Sequence, residues 1–267
     1  MNEFYILVAG ISLACEYIDA SLGGGYGTIL SPTLILLGII PTQAVPAVLI
    51  GQLCGGVVGG ISHQIFGNIK LDFRNAKDVE RRLSLLGYLP RSEDAKVLLV
   101  LAGCGIFGAV TGAFGGMNLP SMVVKTYIGV MVLAVGILIL FKRKSQVSWK
   151  GLFGLGLVSA FNKGISGGGY GPLVTGGQLI IGRAERSSVG STTASEVAVC
   201  IVGFLTYLIF GEAINWNLAL AAISGAVIGA PLAAYTVKKT APVNLKRAIA
   251  FLTITLGALM LVKVLRG

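Results

Sequence analysis

Two five-residue runs carry the most distinctive chemistry of the chain: Gly23-Gly24-Gly25-Tyr26-Gly27 and Gly167-Gly168-Gly169-Tyr170-Gly171. Three consecutive glycines remove the side chains that keep a ligand off the backbone. Successive N–H groups in such a turn form a concavity that suits an anion, and a helix starting just beyond adds its unpaired N–H groups and positive dipole end. Pro172 directly after the second loop, and Thr28, Ser31 and Pro32 after the first, read as helix starts, because a first helical turn does not need the donor that proline lacks. The competing reading is packing, since small residues let membrane helices approach closely.

Ionisable and polar residues flank both loops. Asp19 and Lys163 each stand four residues before the first glycine of their loop, and Glu16 precedes Asp19 by three residues, on the same face of a helix. Ionisable groups within a membrane are costly and are paired or functional. Asp19 and Lys163 therefore read as an ion pair across a twofold, or as a proton carrier and an anion contact; the alternative is a snorkelling position at the aqueous edge. Gln52 and Glu196 also correspond, each in an otherwise apolar or small-residue segment, with Ser191, Thr192, Thr193 and Ser195 around Glu196. Hydroxyls and amides coordinate an anion by donating hydrogen bonds. Glu196 suits such a site only when protonated or paired with Lys163; its other reading is a hydrogen bond between helices. The expected binding set is thus the two glycine loops with Tyr26 and Tyr170 lining or closing them, Lys163 supplying charge, and Gln52, Ser191 and Thr192 supplying hydrogen bonds. Asp19, Glu196 and Glu16 are the expected coupling or ion-pair residues.

Hydrolytic or metal chemistry has no comparable set. His63 is the sole histidine and reads best as a packed residue; the four cysteines, Cys15, Cys54, Cys104 and Cys200, form no C-x-x-C and read as small packing residues; and the chain holds neither H-E-x-x-H nor G-x-S-x-G. No enzyme activity, metal or cofactor is expected.

The elements that must position these residues are membrane segments. The 267 residues are 54% hydrophobic and 12% charged, with a mean hydropathy of +0.84, which leaves too little polar surface for a water-soluble globule. The net charge of +10 lies in short clusters between apolar runs, not along an aromatic-studded face, so nucleic-acid binding is not expected. Apolar runs fall near 4–20, 26–40, 42–66, 96–115 and 120–142, and again near 149–165, 169–182, 187–210, 216–236 and 245–264. The first two of each set look short, as half-helices that either cross as a pair or dip in and return.

The loops recur at an offset of 167 − 23 = 144, which also maps Gly38 onto Gly182 and Phe66-Gly67 onto Phe210-Gly211. Later the offset is 121, as Lys125 and Gly136 map onto Lys246 and Gly257, and the difference is a charged insertion around Arg74–Asp94 in the first half. With five segments per half and the central connection inside, all basic clusters fall on one side: Lys70 to Arg91, Lys142 to Lys150, Arg183 with Arg186, and Lys238 to Arg247. The chain then reads as an all-α polytopic membrane protein of two inverted repeats, each of about five transmembrane or half-membrane segments. Residues 1–145 form the first repeat, with a cytoplasmic insertion at about 70–95, and residues 146–267 the second, in one integral membrane domain with both termini external or periplasmic. Trp149 and Trp216 open segments at headgroup level. Abundant small residues on helix faces suggest a homodimer. Duplicated, broken segments point to a secondary transporter with its site between the halves.

The glycine-rich start of each half, the paired loops, the turns at Phe66–Ile69 and Phe210–Ala213, the Gly225–Ala230–Pro231–Leu232 stretch and the closing Lys246–Leu261 helix together resemble the sulfite exporter TauE/SafE family of membrane permeases. The resemblance covers nearly the whole chain; Asn162-Lys163 and the Arg74–Asp94 insertion depart from the generic pattern. It implies export of sulfite, an organosulfonate such as sulfoacetate, or a related sulfur oxyanion across the bacterial inner membrane, with protons as a possible coupling ion. Uptake of thiosulfate or sulfate and a passive anion channel remain open alternatives.

Overall fold

In lipid every backbone polar group must be satisfied within its own segment, so apolar runs of this length close into helices. The structure is a computed structural model that describes residues 2–71, 92–140, 149–180, 183–211, 213–239 and 245–266. Most of the inserted segment, with Arg74, Lys77, Arg81, Arg82 and Arg91, and the central connection with Lys142, Arg143 and Lys144 lie outside the described residues.

Among the described residues ten helices follow in order: α1 (Asn2–Leu22), α2 (Tyr26–Leu36), α3 (Pro41–Ile65), α4 (Glu93–Asn118), α5 (Ser121–Leu140), α6 (Trp149–Ser166), α7 (Tyr170–Ile180), α8 (Glu185–Phe210), α9 (Trp216–Lys239) and α10 (Leu245–Leu265). Among the described residues, five are long and apolar enough to cross a membrane: Glu3–Leu22, Pro41–Ile65, Glu93–Asn118, Arg186–Phe210 and Trp216–Lys239. Helices α2 and α7 are short, of 11 residues each. The expectation that the first segment of each half is also a half-helix does not hold for α1, whose 21 residues make a full span.

Small residues set the packing, and their order gives the direction of each pair. Gly51, Gly55 and Gly59 of α3 face Ala222, Ala226 and Ala230 of α9 in the same sense. Gly225 and Gly229 of α9 rest on the backbone of α1 at Ala9 and Leu13. These three helices are therefore parallel. A second parallel trio is α4, α6 and α8: Gly108 and Gly112 lie on Leu157 and Phe161 of α6, while Gly105 and Gly116 meet Val199 and Tyr207 of α8. The trios meet where α3 and α8 cross in opposite directions, Gly56 against Val197 and Gly60 against Ala194. The α5–α10 pair is antiparallel too, with Gly129 on Leu261 and Gly257 on Leu133. Helices that correspond in the two halves thus run in opposite directions, which is an inverted repeat.

The same directions settle the short helices. Since α1 and α3 run the same way, α2 between them must return toward the side from which α1 came, and α7 does likewise between α6 and α8. Each half thus begins with a hairpin whose short second arm turns back at the glycine loop. Each trio, moreover, is mixed: α4 of the first half packs with α6 and α8, and α9 of the second half packs with α1 and α3.

Candidate functional site

At the turns of the two hairpins the chain needs backbone conformations that favour glycine. Gly23, Gly24 and Gly25 have φ of 75°, 152° and 148°, and Gly167 and Gly169 have 74° and 80°. The loops lie directly on one another. A Cβ at Gly27 would enter the Gly167 carbonyl, one at Gly168 would come within 2.7 Å of Thr28 N, and one at Gly171 would strike Gly24. Both pentapeptides are buried.

Side chains tie the loops across the twofold. Gly169 N–H donates to Thr28 Oγ1 at 3.0 Å, Ser31 Oγ donates to the Ser166 carbonyl, and Thr175 Oγ1 donates to the Gly23 carbonyl. The last two bonds are near-equivalents, since Ser31 and Thr175 are 144 residues apart. Other loop donors stay within their own half: Gly168 N–H bonds Ser166 Oγ at 3.0 Å, and Tyr26 N–H bonds Asp19 Oδ1 at 2.8 Å. The first loop's donors are therefore already taken: Gly23 and Gly24 N–H bond the Asp19 carbonyl and Tyr26 N–H the Asp19 side chain. Helix α2 starts at Tyr26 and runs through Pro32, so Pro32 is interior and not the first-turn residue its spacing suggested. Its missing N–H leaves the Thr28 carbonyl without a helical partner. Pro172, in contrast, does sit in the first turn of α7.

The ionisable residues gather beside the loops and are removed from water: Glu16 is 0% exposed, Asp19 1%, Lys163 1% and Glu196 2%. The snorkelling alternative is thereby excluded. Lys163 Nζ lies 2.7 Å from Glu196 Oε1, as an ion pair without directed hydrogen-bond geometry. Gln52 Nε2 donates to Asp19 Oδ2 at 3.0 Å. The repeat thus places one pair between α6 and α8 and the corresponding pair between α1 and α3, near the middle of α3 and α8. Lys163 takes Glu196 as its partner instead of its own counterpart Asp19. Glu16 is wedged against Gly55 of α3 and Gly229 of α9, and among the described residues neither of its carboxylate oxygens has a hydrogen-bond partner.

Tyr26 and Tyr170 turn their hydroxyls away from the loops. Tyr26 bonds Ser12 at 2.9 Å beside Gly51, and Tyr170 donates to Ser195 at 3.0 Å. His63 is packed: Nε2 donates to the Ala20 carbonyl at 3.0 Å while Asn68 donates to Nδ1 at 3.1 Å, the arrangement of a neutral ring. Cys15, Cys104 and Cys200 are buried, and no disulfide links the four cysteines.

Ser191 and Thr192 belong to a second polar cluster, which the sequence reading did not assemble. Ser191 Oγ donates to Gln178 Oε1 at 2.7 Å, Gln178 Nε2 donates to Thr192 Oγ1 at 2.8 Å, and the Thr192 hydroxyl lies 2.9 Å from Thr175 Oγ1, which accepts from it because its own proton goes to the Gly23 carbonyl. Arg183 closes the cluster by donating to Gln178 Oε1 and, at 3.2 Å, to Ser191 Oγ. Thr175, Gln178 and Arg183 were legible only as polar exceptions at positions whose counterparts, bar Ser31, are apolar.

The sulfite exporter TauE/SafE family model matches residues 83–260. The chain is 30% identical over 254 residues to the probable membrane transporter protein YtnM of Bacillus subtilis (strain 168), an alignment that covers 89% of this chain and 76% of the relative. No solved structure matches the chain. The family model thus covers most of a chain whose halves are inverted copies meeting at buried glycine loops, and this protein belongs to the sulfite exporter TauE/SafE family of membrane transporters.

Proposed function

We propose that the protein exports a small sulfur oxyanion or organosulfonate, such as sulfite or sulfoacetate, across the inner membrane, and that the anion binds where the two glycine loops meet. The observation that carries this reading is Lys163: a fully buried ammonium, next to the second loop, whose partner is a single carboxylate 2.7 Å away. When the two trios separate, the loops part and a substrate oxyanion reaches this ammonium, where it competes with Glu196 of the same trio. The Gly169 N–H released from Thr28 as the loops part adds to its coordination.

The coupling ion follows from charge. Glu16, Asp19 and Glu196 set three carboxylates against the one ammonium of Lys163 in a buried volume. An additional anion joins such a cluster only with compensating protons. Glu16, whose two oxygens lack hydrogen-bond partners among the described residues, is the proton carrier in this reading, and Asp19 fixes the first loop. The moving bodies are the mixed trios α1/α3/α9 and α4/α6/α8, not the two halves of the sequence. The direction is taken from the exporter description of the matching family. The small residues that suggested a homodimer line contacts inside the chain and supply no argument for a second copy.

Flux of radiolabelled sulfite and sulfoacetate through proteoliposomes under an imposed pH gradient tests this reading, with thiosulfate, sulfate and chloride as competitors. Wild-type liposomes are expected to carry a sulfur oxyanion, and Lys163→Met to abolish the flux. Full flux in Lys163→Met, or no flux above empty liposomes for any of these anions, would overturn it.

A further inference from the structure

Although the halves are copies, the two ends of the bundle differ in polarity. At the end that carries Lys70, Arg183 and Lys238, a cavity of about 360 Å³ opens between the C-terminal end of α3 and the starts of α4 and α8, lined by Lys70, Ser92, Glu93, Asp94, Arg183 and Ser187. The Arg183 side chain is only 6% exposed. It reaches Asp94 Oδ1 through Nη2, Glu93 Oε1 through Nε at 3.7 Å, and Gln178 and Ser191 through Nη1. From there an unbroken series of hydrogen bonds runs through Ser191, Gln178, Thr192 and Thr175 to the carbonyl of Gly23 in the first glycine loop. A polar track joins the cavity to the loops.

Packing does not require this track, because the repeat shows the same positions filled without it. Arg183, Gln178, Ser191 and Thr192 correspond, at the 144-residue offset, to Ile39, Leu34, Ala47 and Val48, and Asp94 corresponds at the 121-residue offset to Asn215. Leu34, Ala47 and Val48 are fully buried in the sister half. Among the described residues, one end alone has a guanidinium backed by an amide and hydroxyls.

What occupies that guanidinium is itself an anion. The Asp94 carboxylate accepts from Arg183 Nη2, from Lys70 N–H at 3.0 Å and from Ser187 Oγ at 3.5 Å. A planar guanidinium, a backbone N–H and a hydroxyl converging on two oxygens match the geometry of a sulfite, sulfonate or carboxylate head.

We propose that this cavity is a second anion-binding site, at which Arg183 recognises the oxyanion on its way to the loops, and that Asp94 holds the substrate's place when the site is empty. The proposal rests on the reading of the protein as an oxyanion transporter. Substrate arrival displaces Asp94 from Arg183, and the amide and hydroxyls of Gln178, Ser191, Thr192 and Thr175 supply the onward donors.

The test separates recognition from a merely structural latch, because the two partners of the Arg183–Asp94 bridge then act in opposite directions. In sulfite and sulfoacetate flux assays, Arg183→Gln is expected to raise the half-saturating concentration about tenfold, the loss of one charge-assisted contact. Asp94→Asn is expected to lower it, by removing the competitor. The double variant Arg183→Gln/Asp94→Asn, which leaves no unpaired charge, is expected to follow Arg183→Gln, and it replaces that variant if the single change prevents folding. Normal wild-type flux with both single variants shifted the same way, or with neither shifted, overturns the second site alone. Absence of wild-type flux for every sulfur anion overturns the transport reading and this inference with it.

Discussion

The Lys163 ammonium lies 2.7 Å from the Glu196 carboxylate, and the residues that the repeat places in the same two positions, Asp19 and Gln52, bond one another at 3.0 Å. One half thus holds an ion pair where the other holds a carboxylate and an amide. Breaking a buried ion pair from one side leaves an uncompensated charge and costs about 3–5 kcal/mol, whereas replacing both partners with apolar groups is far milder. Lys163→Met is expected to lower the thermal unfolding midpoint in detergent strongly, and Lys163→Met/Glu196→Leu to recover most of the loss. A double variant no more stable than the single one would refute the pairing.

Asp19 ties the first loop to α3 through Tyr26 N–H and Gln52 Nε2. Its removal leaves two buried donors unsatisfied, at about 1–3 kcal/mol for each such group. Asp19→Ala is therefore expected to destabilise more than Asp19→Asn, which keeps one acceptor for Tyr26. Denaturation of Asp19→Ala/Gln52→Leu should show less than the sum of the two single changes, since the lost partner is shared.

Two glycine substitutions separate close packing from backbone freedom. Gly27 has no room for a Cβ because the Gly167 carbonyl occupies its place, while Gly38 has φ of 100° and nothing within 4 Å. Gly27→Ala is expected to prevent assembly of a monodisperse folded protein. Gly38→Ala should fold and lose about 1–2 kcal/mol, the strain of a left-handed non-glycine residue. Size-exclusion profiles and melting curves of the two variants check this.

Opposite ends of the bundle should be distinguishable by labelling. Ser187 lies beside the Arg183 cavity, and Ala213 is exposed at the far end, between α8 and α9. With Cys15, Cys104 and Cys200 buried, an impermeant maleimide applied to intact spheroplasts is expected to modify Ala213→Cys, and Ser187→Cys only after permeabilisation. Labelling of both from one side would contradict the inverted arrangement.

The ten helical segments, their duplication and the burial of both glycine runs were legible because each rests on a local signal: apolar length, identical pentapeptides, and ionisable residues where lipid excludes them. What was not legible depended on direction. Apolar length alone does not say that α2 returns, whereas the order in which Gly51, Gly55 and Gly59 meet α9 does. Lys163 was expected to face Asp19, its counterpart, or to take Glu196; the choice depends on how α6 and α8 are rotated, which no spacing encodes. Arg183 read only as a marker of sidedness, because its partners Asp94 and Gln178 come from different helices. A comparison of the two halves position by position, looking for polar residues without polar twins, would have singled it out.

Each half of the chain lends its fourth helix to the other, α4 to α6 and α8, α9 to α1 and α3. Neither half closes a bundle by itself: each lacks one wall until its inverted counterpart supplies it, so neither trio can form before both halves have entered the membrane.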